Sequence, residues 1–292
     1  MNMKSIFLVL KKIDAVYAHY DRVRIWADTD ISFLDCDKLT NKKGNSTPAK
    51  IFYTPEGMKF HSGYKNYIDL FQPSKQNLKY LINSLLTVPA NFIVNNVEIT
   101  YDFTAPAPEK IAAIVNQYLV QPRREHTYFK QIEDSTMHYW GVIGQHDFFA
   151  ASYLRDSKII HVPCFHLEWK LKSKDTCATH GLVTPFDLPR LNFETFFNQN
   201  AQFYLQPKKH IVGRALALKK HKAFSTNRSY ENFFDANADI EIAEIDKVPV
   251  QLLLTKVPTL NGVLKLKKYN KHNISFTNSM QEALLRNLKV YC

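Results

Sequence analysis

The segment Asn96-Val-Glu-Ile-Thr-Tyr-Asp-Phe103 constrains this chain more than any other. Val97, Ile99 and Tyr101 alternate with Glu98, Thr100 and Asp102, and a period of two belongs to a β-strand with one apolar face. A second segment repeats the pattern. Phe165, Leu167, Trp169 and Leu171 share one face, while His166, Glu168 and Lys170 share the other. Arg22–Ala27, Lys50–Thr54, Thr136–Ile143 and Phe148–Arg155 also read as strands, and Lys59–Leu70 reads as a hairpin partner after Pro55-Glu-Gly57.

Helices fall between these strand groups. Pro73-Ser74 opens one, with Leu78, Leu81, Ile82, Leu85 and Leu86 as its apolar stripe. Pro106–Leu119 is a second, with Pro108 in its first turn. Glu194–Tyr204 and Asn278–Leu288 are two more. Groups of strands broken by helices predict an α+β fold with a mainly antiparallel sheet and flanking helices. The 292-residue length suggests one large domain or two, with a β-rich body over 1–204 and a distinct region over 205–292.

Hydrophobic residues make up 45% of the chain, enough for a sizeable core, and this excludes a disordered, collagenous or coiled-coil rod protein. Near the start the longest strongly apolar run is Ile6–Leu10, too short for a signal h-region or a membrane span. Cys36, Cys164, Cys177 and Cys292 are scattered with no Cys-x-x-Cys pair, so reduced thiols are expected. The expectation is a soluble, non-secreted, cytoplasmic protein.

The net charge of +11 is unevenly spread. Residues 51–204 are neutral overall. Residues 205–228 hold seven basic side chains and no acid: Lys208, Lys209, Arg214, Lys219, Lys220, Lys222 and Arg228. Residues 229–250 are acidic, and 251–292 again basic, with Lys265, Lys267 and Lys268 clustered. Clustered Lys and Arg suit a polyanion, with nucleic acid the default partner; the alternative is a solvated, solubilising surface.

Glu98 and Asp102, four apart on one strand, project from the same face. A neighbouring strand could bring Glu168 and His166 beside them, forming a site for a hard divalent cation such as Mg²⁺ or Mn²⁺. The competing reading is an ordinary polar face on a half-exposed antiparallel sheet. Tyr153 is a packing residue on its own, but beside a carboxylate-held metal it becomes a candidate nucleophile. No His-x-His pair occurs, so the paired-His metal motif of many nicking enzymes is missing, and the lack of a nucleophile elbow, GxGxxG or Walker loop argues against a helicase or ATPase.

Over about residues 60–205 the chain resembles plasmid and phage rolling-circle replication initiators of the Rep_trans type, as an ordered series of blocks. Ile68-Asp-Leu-Phe-Gln-Pro-Ser74 resembles the strand-to-helix passage before the family's first acidic strand. Val97–Phe103 resembles that strand, which implies Glu98 and Asp102 as metal ligands. His138-Tyr-Trp-Gly141 resembles the aromatic-glycine strand, and Ser152–Lys158 the strand with the nucleophile, implying Tyr153 with Lys158. His166-Leu-Glu-Trp-Lys-Leu171 resembles the last strand, implying Glu168 as the third carboxylate. The sequence departs from the better-known type in having Glu98 for Asp, His166 for an arginine, and a longer gap from Tyr153 to Lys158. His166 thereby becomes a candidate ligand or phosphate contact.

The resemblance implies a catalytic nicking domain over 1–204 and a basic DNA-binding region over 205–292. Tyr153 would attack a phosphodiester positioned by the cation, forming a 5′-phosphotyrosine and a free 3′-OH, with Lys158 and His166 stabilising charge. Implied partners are origin DNA, a host helicase and a second copy in a homodimer, with no membrane. Tyr139, Trp140, Phe148 and Phe149 are candidate stacking surfaces for single-stranded DNA, with core packing as their alternative. Two other readings stay open: a non-catalytic sequence-specific DNA-binding protein, and a metal-dependent nuclease that uses water.

Overall fold

A computed structural model describes residues 3–42, 47–53, 63–121, 127–132, 135–141, 145–205, 212, 249–264 and 267–292. It opens with α1 (Met3–Leu10), β1 (Ala15–Ala27), the short α2 (Cys36–Leu39), β2 (Lys50–Tyr53) and β3 (Asn66–Phe71). Next come α3 (Lys75–Leu85), β4 (Phe92–Thr104), α4 (Pro108–Tyr118) and β5 (Leu119–Val120). The strands β6 (Thr127–Ile132), β7 (Ser135–Trp140), β8 (Phe148–Asp156) and β9 (Pro163–Leu171) follow in succession. Then α5 (Lys174–Thr179), a 3₁₀ turn (Pro185–Arg190), α6 (Phe193–Asn200) and β10 (Gln202–Phe203) complete the first 205 residues. The last elements are α7 (Val250–Lys256), α8 (Pro258–Leu264), α9 (Lys267–Leu285) and β11 (Leu288–Val290).

Eight strands form the main sheet in the order β2-β3-β1-β4-β9-β8-β7-β6, and β11 adds to β1. Every pairing in that order is antiparallel; β11 alone runs parallel to its partner, at Val16–Ala18. The fold is α+β, as the segment order predicts.

The alternating strands bury Val97, Ile99, Tyr101, Leu167 and Trp169 beneath the helices. Tyr20 and Tyr101 lock the helical layer in place: their hydroxyls donate to the Leu188 and Phe193 carbonyls, at 2.7 and 2.6 Å. Tyr101 also meets Trp169, Phe193 and Phe197 edge-on, geometry that suits aromatic quadrupoles.

Local signals hold well where capping chemistry is explicit. Ser74 caps α3, accepting from the Asn77 backbone N–H while the Asn77 side chain accepts from Ser74. Pro108 sits at the start of α4, where no backbone donor is needed. The segment expected as one helix over Glu194–Tyr204 divides: α6 ends at Asn200, and Gln202–Phe203 pairs with β5. The last helix is longer than its periodicity suggests, running over Lys267–Leu285.

The described part of 205–292 packs into the same core as the body. Phe276, Met280 and Leu284 of α9 and Val250 and Leu254 of α7 join the central apolar cluster. Thr277 exchanges hydrogen bonds with the backbone of Phe203, and the Gln281 amide donates to the Ala201 carbonyl. All four cysteines are free thiols. Among the described residues, no helix is long and apolar enough to cross a membrane.

Candidate active site

The sheet face turned away from the helices carries a polar constellation in adjacent rows. Across β4 and β9, Asp102 lies opposite His166, Thr100 opposite Glu168, and Glu98 opposite Lys170. Across β9 and β8, His166 lies opposite Tyr153 and Glu168 opposite Ala151. The neighbouring strand that the acidic segment requires is therefore β9, with β8 beyond it. This face is not half-exposed: Asp102 and His166 are fully buried, and Glu98 and Glu168 nearly so.

β1 supplies a residue that sequence reasoning missed. Tyr20 pairs with Ile99 and Arg22 with Glu98, so Asp21 is an extra residue, a bulge. The bulge places Asp21 against His166 and Glu168. One ligand atom from each of Asp21, His166 and Glu168 lies within 4.8 Å of the others, and all three residues are buried. The signal was present in the sequence as two consecutive polar residues, Asp21-Arg22, interrupting an alternating strand between Tyr20 and Val23.

The carboxylates thus separate in space. The expected metal set was Glu98, Asp102 and Glu168, but the structure groups Glu168 with Asp21 and His166. Asp102 is saturated by side chains: it accepts from His166 Nδ1 at 2.6 Å, Ser157 Oγ at 2.6 Å and His19 Nε2 at 3.3 Å. It orients His166, as carboxylates behind metal-ligating imidazoles do. Glu98 is held by Lys172 at 2.8 Å and Lys170 at 3.6 Å.

His166 Nε2 and Glu168 Oε2 stand 3.5 Å apart, beyond a good hydrogen bond, and both are buried without a partner. With Nδ1 donating to Asp102, Nε2 presents a lone pair; that lone pair and the Glu168 oxygen, buried and facing each other beside the Asp21 carboxylate, fit a cation. Two carboxylates and an imidazole suit Mn²⁺ better than Mg²⁺, which favours an all-oxygen shell.

The electrostatics fit a focused site. Burial works against ionised Asp21, but Lys158 and then Arg155 hold its pKa well below the carboxylate range. Lys158 Nζ donates to both Asp21 oxygens, at 3.1 and 2.8 Å. Burial likewise opposes ionised Glu168, and Lys170, followed by His166, lowers its pKa regardless. The His166 pKa is raised: Asp102 outweighs burial and the Arg155 charge. The Tyr153 phenol is pushed up, first by burial and then by the Glu168 charge.

Two further residues complete the surroundings. Tyr153 lies against His166 with ring centroids 4.6 Å apart and planes tilted by 39°, and its hydroxyl receives a long 3.4 Å contact from Arg155 Nη1. Gln72 follows β3 directly at φ +42°, a conformation that costs a non-glycine residue energy. It is buried, and its amide donates to Asp21 Oδ1 at 2.6 Å and to the Asp21 carbonyl at 2.9 Å. The strained residue fixes the bulge that brings Asp21 into the site.

Of the expected stacking aromatics, Tyr139, Trp140 and Phe149 are buried. Trp140 Nε1 donates to the Leu119 carbonyl, and Phe148 packs against His180 at 4.8 Å. Three of the four are thus buried, and Phe148 is half-buried. The expected DNA-binding residues Lys208, Lys209, Arg214, Lys219, Lys220, Lys222, Arg228 and Lys265 lie outside the described residues. Lys267 and Lys268 open α9.

No protein-family model matches this chain, and no curated protein matches it.

Proposed function

We propose that the chain is a DNA strand-nicking and joining enzyme of the replication-initiator kind, with Tyr153 as nucleophile and Asp21, His166 and Glu168 as ligands of a divalent cation. The observation that carries this reading is the direct cross-strand pairing of Tyr153 with His166, one member of the cation-compatible trio. A bound divalent ion supplies Lewis-acid polarisation of the phosphodiester.

The chain's own residues do the rest. Asp102 keeps the His166 ring turned so that Nε2 faces Glu168. Tyr153 Oη forms the bond to phosphorus as the bond to the 3′-oxygen breaks. The phenol loses one proton and the departing oxygen gains one, leaving a 5′-phosphotyrosine and a 3′-OH. The ester conserves a phosphoryl linkage for rejoining. Lys158 and Arg155 surround Asp21 with positive charge that also suits a phosphate. Origin DNA is the substrate, a host helicase and a second copy are the accompanying partners, and the reaction is cytoplasmic.

The test uses 3′-labelled single-stranded DNA with Mn²⁺ or Mg²⁺, comparing the native chain with Tyr153→Phe. A metal-dependent adduct that survives denaturation and disappears in Tyr153→Phe is the expected result. Metal-independent binding with no adduct from the native chain would sink the proposal and leave a binding protein. The elevated Tyr153 pKa favours a second reading, a water-using nuclease. Free cleaved ends from both proteins would establish it.

A further inference from the structure

The polar face continues past the cation-compatible trio toward the β2 edge, and there its character changes from acidic to cationic and aromatic. On β1, Arg22 and Arg24 lie opposite Phe71 and Asp69 of β3, and Phe52 of β2 lies opposite Tyr67. These pairings put all of them on the face that carries Glu98 and Glu168. Phe52 and Tyr67 stack with centroids 4.5 Å apart and planes 17° from parallel. The Arg24 guanidinium lies 4.3 Å from the Tyr67 ring centre, so Tyr67 is flanked by a ring from one neighbouring strand and a cation from the other.

Asp69 fixes the arrangement, accepting Nε and Nη2 of Arg24 at 2.8 Å each and also an Arg22 donor. One carboxylate shared by two guanidiniums leaves net positive charge. Phe52 is 37% exposed, and the Arg22 and Arg24 side chains keep 29% and 25% of their surface.

We propose that this stretch of the sheet is a single-stranded DNA track leading to the Tyr153 site, with bases stacking on the outer face of Phe52, which Tyr67 backs, and phosphates meeting Arg22 and Arg24. The inference rests on the nicking reading for its choice of DNA. Charge complementarity and an exposed Phe52 ring backed by Tyr67, together on one face, match what sequence-tolerant single-strand binding requires. Duplex DNA hides its base faces and cannot use the stack.

The test measures anisotropy of 5′-fluorescein-dT20 with the full chain in EDTA, at about 200 mM salt, where contacts made to phosphates alone are weakened. Phe52→Ala and Tyr67→Ala are each expected to weaken dT20 binding about tenfold, while labelled duplex of equal length binds within about twofold of native. Tyr67→Phe keeps the ring and retains affinity. Phe52→Trp folds on the same edge and its fluorescence is quenched by dT20. Native-like dT20 binding by both alanine variants overturns the track, as does an equal loss on duplex or unquenched Phe52→Trp. Cleavage is not needed in EDTA, so a missing adduct in the Tyr153 experiment refutes nicking without touching this result.

Discussion

The two faces of the sheet are both buried near its centre, yet they are held by different forces. Beneath the helices, Tyr20, Tyr101, Trp169 and Phe197 fill space and bury apolar area, with two tyrosine hydroxyls satisfied by backbone carbonyls. On the other face, Asp21, Asp102, His166 and Glu168 are charged or polar groups at 5% exposure or less, compensated by one another and by Lys158 and Lys170. Burying ions is costly even when they are paired, so this face contributes less to stability than its contacts suggest. The comparison teaches where stability and chemistry should separate under mutation.

The largest effect is expected at Trp169→Ala on the helix side, about 3–5 kcal/mol by chemical denaturation. A loss below about 1 kcal/mol would mean the helical layer is not the main source of stability.

Asp102→Ala comes next and cuts across the comparison. It strands His19, His166 and Ser157 in the interior, and removing one partner from a buried network costs about 3 kcal/mol. The pH dependence has a definite sign. Asp102 is held below the ordinary carboxylate pKa, so its contribution is present above about pH 4 and lost as pH falls through its folded value. The His166 pKa is raised, so its contribution is full below about pH 6.5 and lost as pH rises through its folded value. The native-minus-variant stability difference should therefore peak between about pH 4 and 6.5. A difference that is flat with pH would mean that the network is held by shape and not by charge.

Mn²⁺ sharpens the contrast further. At a concentration 100 times its Kd, a cation that binds the folded state stabilises it by about 2.7 kcal/mol. The native chain should show a Tm rise and Glu168→Gln should not; equal rises in both would remove Glu168 from the ligand set.

Gln72→Gly should cost about 1 kcal/mol. Glycine relieves the positive φ, but the lost amide leaves Asp21 one donor short. Increased stability combined with weaker Mn²⁺ binding would identify the strain at Gln72 as maintained for function. The smallest stability effect belongs to Tyr153→Phe, within about 0.5 kcal/mol, because the hydroxyl makes one long contact. A larger loss would make the Tyr153 hydroxyl a structural hydrogen-bonding group.

Much of this architecture was legible from the sequence for a simple reason. Val97–Phe103 of β4 and Phe165–Leu171 of β9 alternate strictly, and alternation specifies which side chains share a face regardless of what packs there. Glu98, Asp102, His166 and Glu168 could therefore be placed together from spacing. Asp21 could not, because a bulge breaks the period on which such placement depends, and the strained Gln72 that supports it is 51 residues away. Aromatic function was equally hidden. Trp140 and Phe52 look alike as letters, but one is fully buried and the other lies exposed on an edge strand.

Local periodicity or a local hydrogen bond was enough for the α+β class, the strands β2, β4, β7, β8 and β9, the α3 cap and the shared polar face, whereas β6, β11 and the first half of β1 carried no such signal. Tertiary structure decided which carboxylates converge and which serve as supports. Asp102 became a support because His19 and Ser157, 83 and 55 residues distant, reach it in space and use its lone pairs. Asp21 joined His166 and Glu168 because β1 and β9 lie on either side of β4, an adjacency fixed by sheet order and not by any pattern along the chain.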